Sequence, residues 1–280
     1  MHSHPRLTPP KLISFKIELQ DTTTTTRDLL QCDTPMAFPN SFSVSRAPKS
    51  SSWSKTKIYH LGSPDVTLYT CKEVVAWSGK TSISLHTGAT AETDPIASSA
   101  SGSAWRTDTT VTIPISTVST TSLSSGSEIN EPFRKHTSLT HETWDFVCPI
   151  GSGKERQVEK FEWRRSHGDE TASLRDGKST YGWKLIRLHS NESNAASSDG
   201  QVSGHSSDGK EIVAVWTDDS LTWFRGDEKG VVGKFEFIGS GVDGGLGEQW
   251  QLFAVVSALH MRQVGLQQAQ STGSSAAANA

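Results

Sequence analysis

The sequence predicts a mainly β protein: a closed antiparallel barrel of about twelve strands that encloses a hydrophobic C-terminal helix. Three observations predict it. Short segments with apolar residues at alternate positions recur along the 280-residue chain, and this is the period of a half-buried strand. Gly-Ser-Pro-Asp, Ser-Gly and Asp-Gly sequences separate them and are typical of turns. The segment EQWQLFAVVSALHMRQ, residues 248–263, is apolar around its whole circumference, so a helix there must be surrounded.

The individual strands are predicted from the alternation, in chain order. The clearest is TVTIPIS, residues 110–116, where Val111, Ile113 and Ile115 share one face and Pro114 favours an edge or a bulge. The other predicted strands are residues 12–19, 57–61, 66–71, 73–78, 81–86, 143–148, 159–166, 182–189, 211–217 and 233–239.

Large aromatic side chains are expected to fill the interior of the barrel. The chain has nine tryptophans, close to one per predicted strand. Rings that all face the interior would fill the volume of a wide barrel. A surface that binds sugars or nucleic acids would instead need the rings exposed on adjacent strands. The tryptophans taken to be interior include Trp77, Trp144, Trp163, Trp183 and Trp216.

Stretches poor in apolar residues are predicted to be loops or disordered, because they cannot offset the entropy of ordering. They are the threonine-rich residues 21–27, residues 98–130 apart from the strand near Thr110, and residues 190–207. The expected organisation is a single barrel domain over residues 11–265 with Ser/Thr-rich insertions at 98–130 and 190–207. A disordered tail is expected over residues 266–280.

The apolar helix is predicted to lie inside the barrel. It is too short to cross a bilayer, which requires about 20 apolar residues, and a barrel that holds a helix needs more strands than the eight that fill themselves with side chains. A lipocalin-like barrel is disfavoured because the helix would occupy its ligand cavity. A fluorescent-protein can is also disfavoured, since Thr180-Tyr181-Gly182 joins a predicted turn to a strand rather than lying in a helix.

Composition limits the partners and the compartment. Lys and Arg total 27 against 30 Asp and Glu, a net charge of −3, so there is no global field to attract nucleic acid, and an anion site must be local. The three cysteines are far apart, and the N-terminus has prolines and charges in place of a signal peptide. An intracellular, cytoplasmic protein is expected, without a transmembrane segment and with peripheral membrane association.

The motifs that could indicate catalysis lack their required context. Residues 239–244, GSGVDG, match a dinucleotide-binding pattern, but the chain after the predicted helix supplies neither a further strand nor the acidic residue for a ribose. Residues 151–154, GSGK, lack the flanking residues of a phosphate loop, and His136 and His141 lack metalloprotease spacing. We therefore expect no enzyme, no cofactor and no metal site.

Basic residues concentrate on two predicted strands that would be neighbours in the sheet. Arg presents a planar fork to phosphate and Lys a point charge. The interleaved Glu155, Glu159 and Glu162 act against an anion site, and a solvated charged face is the alternative. Arg165 and Arg187 share strand parity with a tryptophan, which favours an inward direction. The candidate ligands of an anionic head group are Lys160, Arg164, Arg165, Lys184 and Arg187.

The order of elements resembles the tubby C-terminal-like superfamily, which includes the LURP-one-related proteins and the phospholipid scramblases. The resemblance covers residues 11–265 and depends on FEWRR (161–165), GWKL (182–185), EIVAVW (211–216) and GKFEF (233–237), which lead into the helix. It implies a twelve-stranded barrel threaded by a hydrophobic helix, and phosphoinositide binding by Lys and Arg on adjacent strands. The long Ser/Thr insertions depart from the compact plant members.

The resulting functional expectation is a non-catalytic intracellular binding module for a phosphoinositide or an anionic membrane surface. The alternative is a protein-interaction scaffold that presents its long Ser/Thr-rich loops to protein partners. A scramblase-like membrane protein is a weaker alternative, because the sequence has no cysteine-rich segment for palmitoylation.

Overall fold

The fold is taken from a computed structural model of the chain. The structure describes residues 38–47, 55–101, 108–114, 128–138, 141–151, 156–174, 182–189, 204–218 and 230–278; for Asp108 and for residues 270–278 only the backbone is described. The predicted strand at 12–19 and the threonine-rich residues 21–27 lie outside these ranges.

Twelve antiparallel strands form a closed barrel in which each strand pairs with its neighbours in the chain, and β1 pairs with β12 to complete the circle. The predicted fold class is therefore confirmed. The strands are β1 (Ser41–Arg46), β2 (Thr56–Gly62), β3 (Thr67–Val75), β4 (Thr81–Thr87), β5 (Ala97–Ser101), β6 (Asp108–Pro114), β7 (Glu128–Thr137), β8 (Glu142–Ile150), β9 (Gln157–Ser166), β10 (Gly182–Arg187), β11 (Ile212–Asp218) and β12 (Val231–Phe237).

Alternation of side chains separates the inside of the barrel from its outer wall. In β9, Phe161 and Trp163 are fully buried, whereas Glu162 and Arg164 between them are only half-buried on the outside. The closing pair follows the same rule, since Phe42 of β1 lies opposite Phe235 of β12 and their rings stack at 5.2 Å. Each such aromatic contributes about 1.5–3 kcal/mol when it is fully buried.

The helix α2 (Glu248–Ala278) passes through the barrel. Its residues 249–263 are all buried, which corresponds to about 22 Å of helix at 1.5 Å per residue. Phe253 stacks on Phe146 of β8 at 5.4 Å, and Trp250 packs against Phe237 of β12 at 5.7 Å. The absence of a polar face on residues 248–263 is explained by this enclosure, because strands surround the helix on every side.

The connection from β12 to α2 requires close backbone packing. Residues Gly239–Gly241 form a 3-10 turn, and a Cβ placed on Gly241 would lie 2.2 Å from the carbonyl oxygen of Val213 in β11. Glycine is needed there because any side chain would overlap the strand. The GSGVDG segment thus connects a strand to a helix, as expected, and no strand follows α2 in the described chain.

Polar side chains also enter the core, and several of them form hydrogen bonds between α2 and the strands. The buried His260 of α2 has its Nδ1 3.1 Å from Ser99 Oγ and its Nε2 2.9 Å from Thr109 Oγ1. Trp163 Nε1 donates to Ser257 Oγ at 2.9 Å. Because buried polar groups are costly without partners, these bonds fix the rotation and depth of the helix in the barrel.

Strand boundaries differ from the sequence predictions in several places. The predicted strands 66–71 and 73–78 are one continuous strand, β3, and β1, β5 and β7 were not predicted. Three strands lie partly or wholly within the predicted 98–130 insertion: β5, β6 and the first residues of β7. β5 has the sequence ASSAS, and β7 buries only Phe133. Neither strand shows alternating large apolar residues, so they are recognised by their main-chain pairing with neighbouring strands.

Two further predictions need correction. The segment 266–280 was expected to be a disordered tail, but α2 continues to Ala278; its Gln and Ala residues favour a helix once the enclosed turns have nucleated it. Trp77 was expected in the interior, yet it is 93% exposed. It lies in the turn between β3 and β4, beyond the last paired residues of either strand.

Candidate functional site

The predicted basic residues lie on β9 and β10, which are neighbours in the barrel as expected. Lys184 is directly opposite Arg164, Trp183 is opposite Arg165, and Arg187 is opposite Phe161. Lys160, Arg164 and Lys184 therefore share the outer wall, because their strand neighbours Phe161, Trp163 and Leu185 are buried inside. The remaining two cations occupy inward positions near the two ends of the barrel.

The three cations of the outer wall are each paired with a carboxylate. Lys160 Nζ lies 2.5 Å from Asp145 Oδ2 of β8. Lys184 Nζ lies 3.3 Å from Glu170 Oε1 of the short helix α1 (Asp169–Ser173), which packs on the outside.

Arg164 has two acidic partners. Its Nε contacts Glu162 Oε1 at 2.5 Å, and its Nη1 contacts Asp208 Oδ2 at 2.8 Å. Burial opposes the charge on this guanidinium, but the hydrogen bonds that it donates to Asp208 and Glu162 outweigh this effect and raise the pKa of Arg164. The side chain is thereby fixed along the wall rather than extended toward solvent.

Arg165 and Arg187 do not join this group. Arg165 is half exposed, stacks on Trp183 with 4.8 Å between its guanidinium carbon and the ring centroid, and has its Nη2 3.4 Å from Glu142 Oε2. Arg187 makes a bidentate pair with Glu159, at 2.6 and 2.7 Å. These hydrogen bonds raise the pKa of Arg187.

The five candidate cations are consequently outnumbered by the acids they contact. Their acidic partners are Asp145, Glu142, Glu159, Glu162, Glu170, Asp208 and Glu211. An anionic head group on this wall would have to displace carboxylates from their present partners. The alternation of Glu with Arg and Lys in the sequence indicated such pairing, but the partners on β8, α1 and the β10–β11 connection depend on strand register.

A second group of charges lies inside the barrel and was not predicted. Arg262 of α2 is buried, and its guanidinium lies 4.5 Å from the ring centroid of Tyr59, 3.9 Å from Glu73 Oε2 and 3.8 Å from Asp218 Oδ1. Glu73 also contacts Lys57 at 3.4 Å. Arg262 lies near the end of the enclosed segment 249–263, so these charged side chains form a layer at one end of the apolar core.

Packed side chains fill the described interior of the barrel, and the two described cysteines are buried there. Phenylalanine, tryptophan and α2 side chains occupy the volume between the strands. Cys71 and Cys148 are buried, and burial raises the pKa of both thiols well above the usual range. Among the described residues, the outer wall and the two ends of the barrel are therefore the surfaces that a ligand could contact.

No three His, Cys, Asp or Glu side chains in the described part of the chain come together in a group that could hold a metal ion. None of the described helices combines the length and apolar character needed to cross a lipid bilayer.

Comparison of the chain with protein family models, with curated proteins and with solved structures gives no match in any of the three.

Proposed function

We propose that this chain is a tubby C-terminal-like barrel that acts as a non-catalytic intracellular binding module, and that its ligand is a phosphoinositide or another anionic membrane surface. The observation that carries the proposal is the position of α2. Because residues 249–263 fill the barrel, the module must recognise its ligand from outside. A membrane surface is a ligand that needs no internal cavity.

Support for an anionic ligand comes from the cations on neighbouring strands. Lys160, Arg164 and Lys184 share one wall, and a multivalent phosphate group can compete with carboxylates for Arg because both are bound by the same planar fork. Lys160 keeps 42% of its side chain exposed, which makes it the most accessible of the three. Binding of this type weakens as salt increases.

The test is co-sedimentation of the purified chain with phosphatidylcholine vesicles that carry one phosphoinositide at a time, at low and at physiological salt. Selective binding that decreases with salt and is lost in an Arg164→Gln/Lys184→Gln variant is expected. A matched control, Lys72→Gln/Lys234→Gln, removes the same charge from other positions on the strands and should still bind. Absence of binding at both salt concentrations would reject the proposal.

A protein-interaction scaffold is the second candidate, and the ion pairs favour it. Each of the five candidate cations already has a carboxylate partner, so no unpaired positive charge remains among them to attract a lipid, and this region suits a protein surface at least as well. On this proposal the Ser/Thr-rich insertions select the partner. Replacing residues 190–203 by a Gly-Ser linker of equal length should then abolish specific cross-links to the partner while the thermal stability of the barrel is unchanged.

A further inference from the structure

Among the residues that the structure describes, the two ends of the barrel carry opposite exposed charge. We call the end where α2 begins the proximal end, and the end where α2 leaves beyond Gln263 the distal end. Connections alternate between the ends because every strand pair is antiparallel. Among the exposed charged residues that the structure describes, the proximal end has Asp65, Glu92, Asp94, Glu128 and Asp243 with Arg156, and the distal end has Lys55, Lys80, Arg134 and Arg165 with Asp169; Asp208, also exposed, pairs with Arg164 on the wall of β9 and β10.

The distal end also presents the most exposed large apolar side chain that the structure describes. Trp77 is 93% exposed, whereas Trp144, Trp163, Trp216 and Trp250 are at most 2% exposed. Burial of an indole is strongly favourable in water. An indole held in solvent at the end of a hairpin is therefore a feature that the core does not explain.

The turn that carries Trp77 has a defined conformation. Ala76 N donates to the Lys80 carbonyl at 2.8 Å, and Gly79 N donates to the Ala76 carbonyl at 3.0 Å. Gly79 has φ 73°, a left-handed conformation that glycine adopts without strain. These bonds hold Trp77 at the apex of the β3–β4 hairpin, so its exposure follows from the turn geometry.

Cations adjoin this tryptophan. Lys55 Nζ lies 2.9 Å from the centroid of the Trp77 ring, and Lys80 closes the same turn. At the same end, the guanidinium of Arg165 stacks on Trp183. Indole rings beside Lys or Arg are typical of groups that sit at the head-group level of a bilayer, where the ring is amphipathic and the cations meet lipid phosphates.

We propose that the distal end is the surface that docks on an anionic membrane, with Trp77 entering the head-group layer and Lys55, Lys80 and Arg165 contacting lipid phosphates. The proposal rests on the proposed membrane function and assigns it to a surface other than the wall of β9 and β10. The acidic proximal end would be repelled by the same membrane, so the opposed charges orient the barrel axis toward it.

A lipid surface fits this end better than a protein partner. A protein interface is built on a cluster of buried anchors within a patch of about 20–30 residues per side. Of the large apolar residues that are exposed in the described structure, Val66, Leu68, Val158 and Val242 lie near the proximal end, and Trp77 lies at the distal end without an apolar neighbour among them. Among the described residues, an exposed indole at a convex hairpin apex with cations around it suits insertion into a head-group layer.

The test uses flotation of the full chain with phosphatidylcholine vesicles, alone and with phosphatidylserine or a phosphoinositide. Lys55→Gln/Lys80→Gln should lower the partition coefficient about thirtyfold, from the attraction of two basic residues near an anionic surface. Trp77→Ala should lower it severalfold. Val158→Ser, an exposed apolar residue at the opposite end, is the matched control and should bind as the unmodified chain does.

A spectroscopic readout tests insertion directly. Subtracting the emission spectrum of Trp77→Phe from that of the unmodified chain gives the emission of Trp77 alone. This emission should shift to shorter wavelength when anionic vesicles are added. Near-ultraviolet circular dichroism should be the same in all variants apart from the signal of Trp77 itself, because the altered side chains are exposed.

The outcomes separate this inference from the proposed function. Binding that survives in the distal-end variants but is lost in Arg164→Gln/Lys184→Gln overturns the distal-end assignment and leaves the membrane function in place. Binding to none of the vesicles overturns both and favours the protein scaffold. Loss in the distal-end variants, with retention in Val158→Ser, supports the inference; loss in Arg164→Gln/Lys184→Gln as well would mean that the wall of β9 and β10 also contacts the lipid.

Discussion

His260 shows at the residue scale how this barrel tolerates a titratable group in its core. The imidazole lies between two hydroxyl groups, those of Ser99 and Thr109, and both of its nitrogens are hydrogen-bonded. The two hydroxyls can each donate or accept, so they accommodate the neutral ring in either tautomer. A protonated ring would instead be an unpaired charge in an apolar environment.

The first prediction concerns acid sensitivity. Burial lowers the pKa of His260 from 6.5 to about 4, so the unfolded chain binds a proton more readily than the folded one. Stability should be complete above pH 6.5 and should fall by about 3 kcal/mol as the pH decreases to 4. His260→Gln keeps a donor and an acceptor without titrating there, and urea unfolding of this variant should show a much smaller decrease between pH 6.5 and 5.

The second prediction concerns a contact that only glycine allows. A Cβ on Gly233 of β12 would lie 2.2 Å from Cη2 of Trp216 and 2.5 Å from the Thr217 carbonyl oxygen. Gly233→Ala should therefore destabilise the fold by about 1–3 kcal/mol, the usual cost of overpacking. Gly245→Ala is the matched control, because a Cβ there meets nothing within 4 Å. Equal urea midpoints for the two variants would contradict the contact.

At the element scale, α2 was predictable and several strands were not. A helix that is apolar all round is visible in EQWQLFAVVSALHMRQ because enclosure leaves it no polar face. The strand ASSAS of β5 has the small side chains that the adjacent helix requires: the Ser99 hydroxyl reaches His260, and Ala97 is buried. Small residues resemble a loop in sequence, so their strand is recognisable only once the helix is in place.

The same limit applies to the candidate site. The sequence correctly placed Lys160, Arg164 and Lys184 on neighbouring strands, because alternation predicts β9 and β10. It could not indicate that Arg187 would pair with Glu159, 28 residues away, since that pair depends on the register between the strands. Nor could it indicate that Trp77 is exposed. An interior tryptophan and an exposed one at the end of a strand can have the same sequence pattern and differ only in their surroundings.

The third prediction tests the enclosure of the helix. Val256 is fully buried at the centre of the enclosed segment, and Val256→Asp would place a carboxylate among apolar side chains without a partner. Loss of cooperative thermal unfolding is expected, because the cost of several kcal/mol is comparable with the stability of an ordinary domain. Ala269→Asp, at an exposed position of the same helix, should unfold normally. An ordinary transition in Val256→Asp would reject the threaded helix.

At the scale of the whole molecule, closure makes every strand depend on its neighbours. The barrel has no free edge, because β1 pairs with both β2 and β12. An exposed edge would present unpaired main-chain groups to other chains. β1 and β12 are farther apart along the chain than any other paired strands, so their pairing is the least local contact of the sheet. Loss of either strand would open the barrel and expose an edge.

The fourth prediction follows from this closure. Deleting residues 1–34 leaves all twelve described strands in place, and the thermal transition should stay cooperative. Deleting residues 1–46 removes β1, including the buried Phe42 and Val44, and leaves β2 and β12 each without a partner on one side. Aggregation and loss of the cooperative transition are expected from the longer deletion. Tolerance of that deletion would contradict the closed topology.

The position of α2 in the chain has a consequence for biosynthesis. A ribosome makes all twelve strands before it makes the helix around which they close, and the hairpins can pair as they emerge because each connects neighbours in sequence. Their apolar faces have nothing to pack against until residue 263 has left the exit tunnel. A nascent or prematurely terminated chain therefore displays the surface that chaperones and proteases recognise, and only a chain translated past α2 can conceal it.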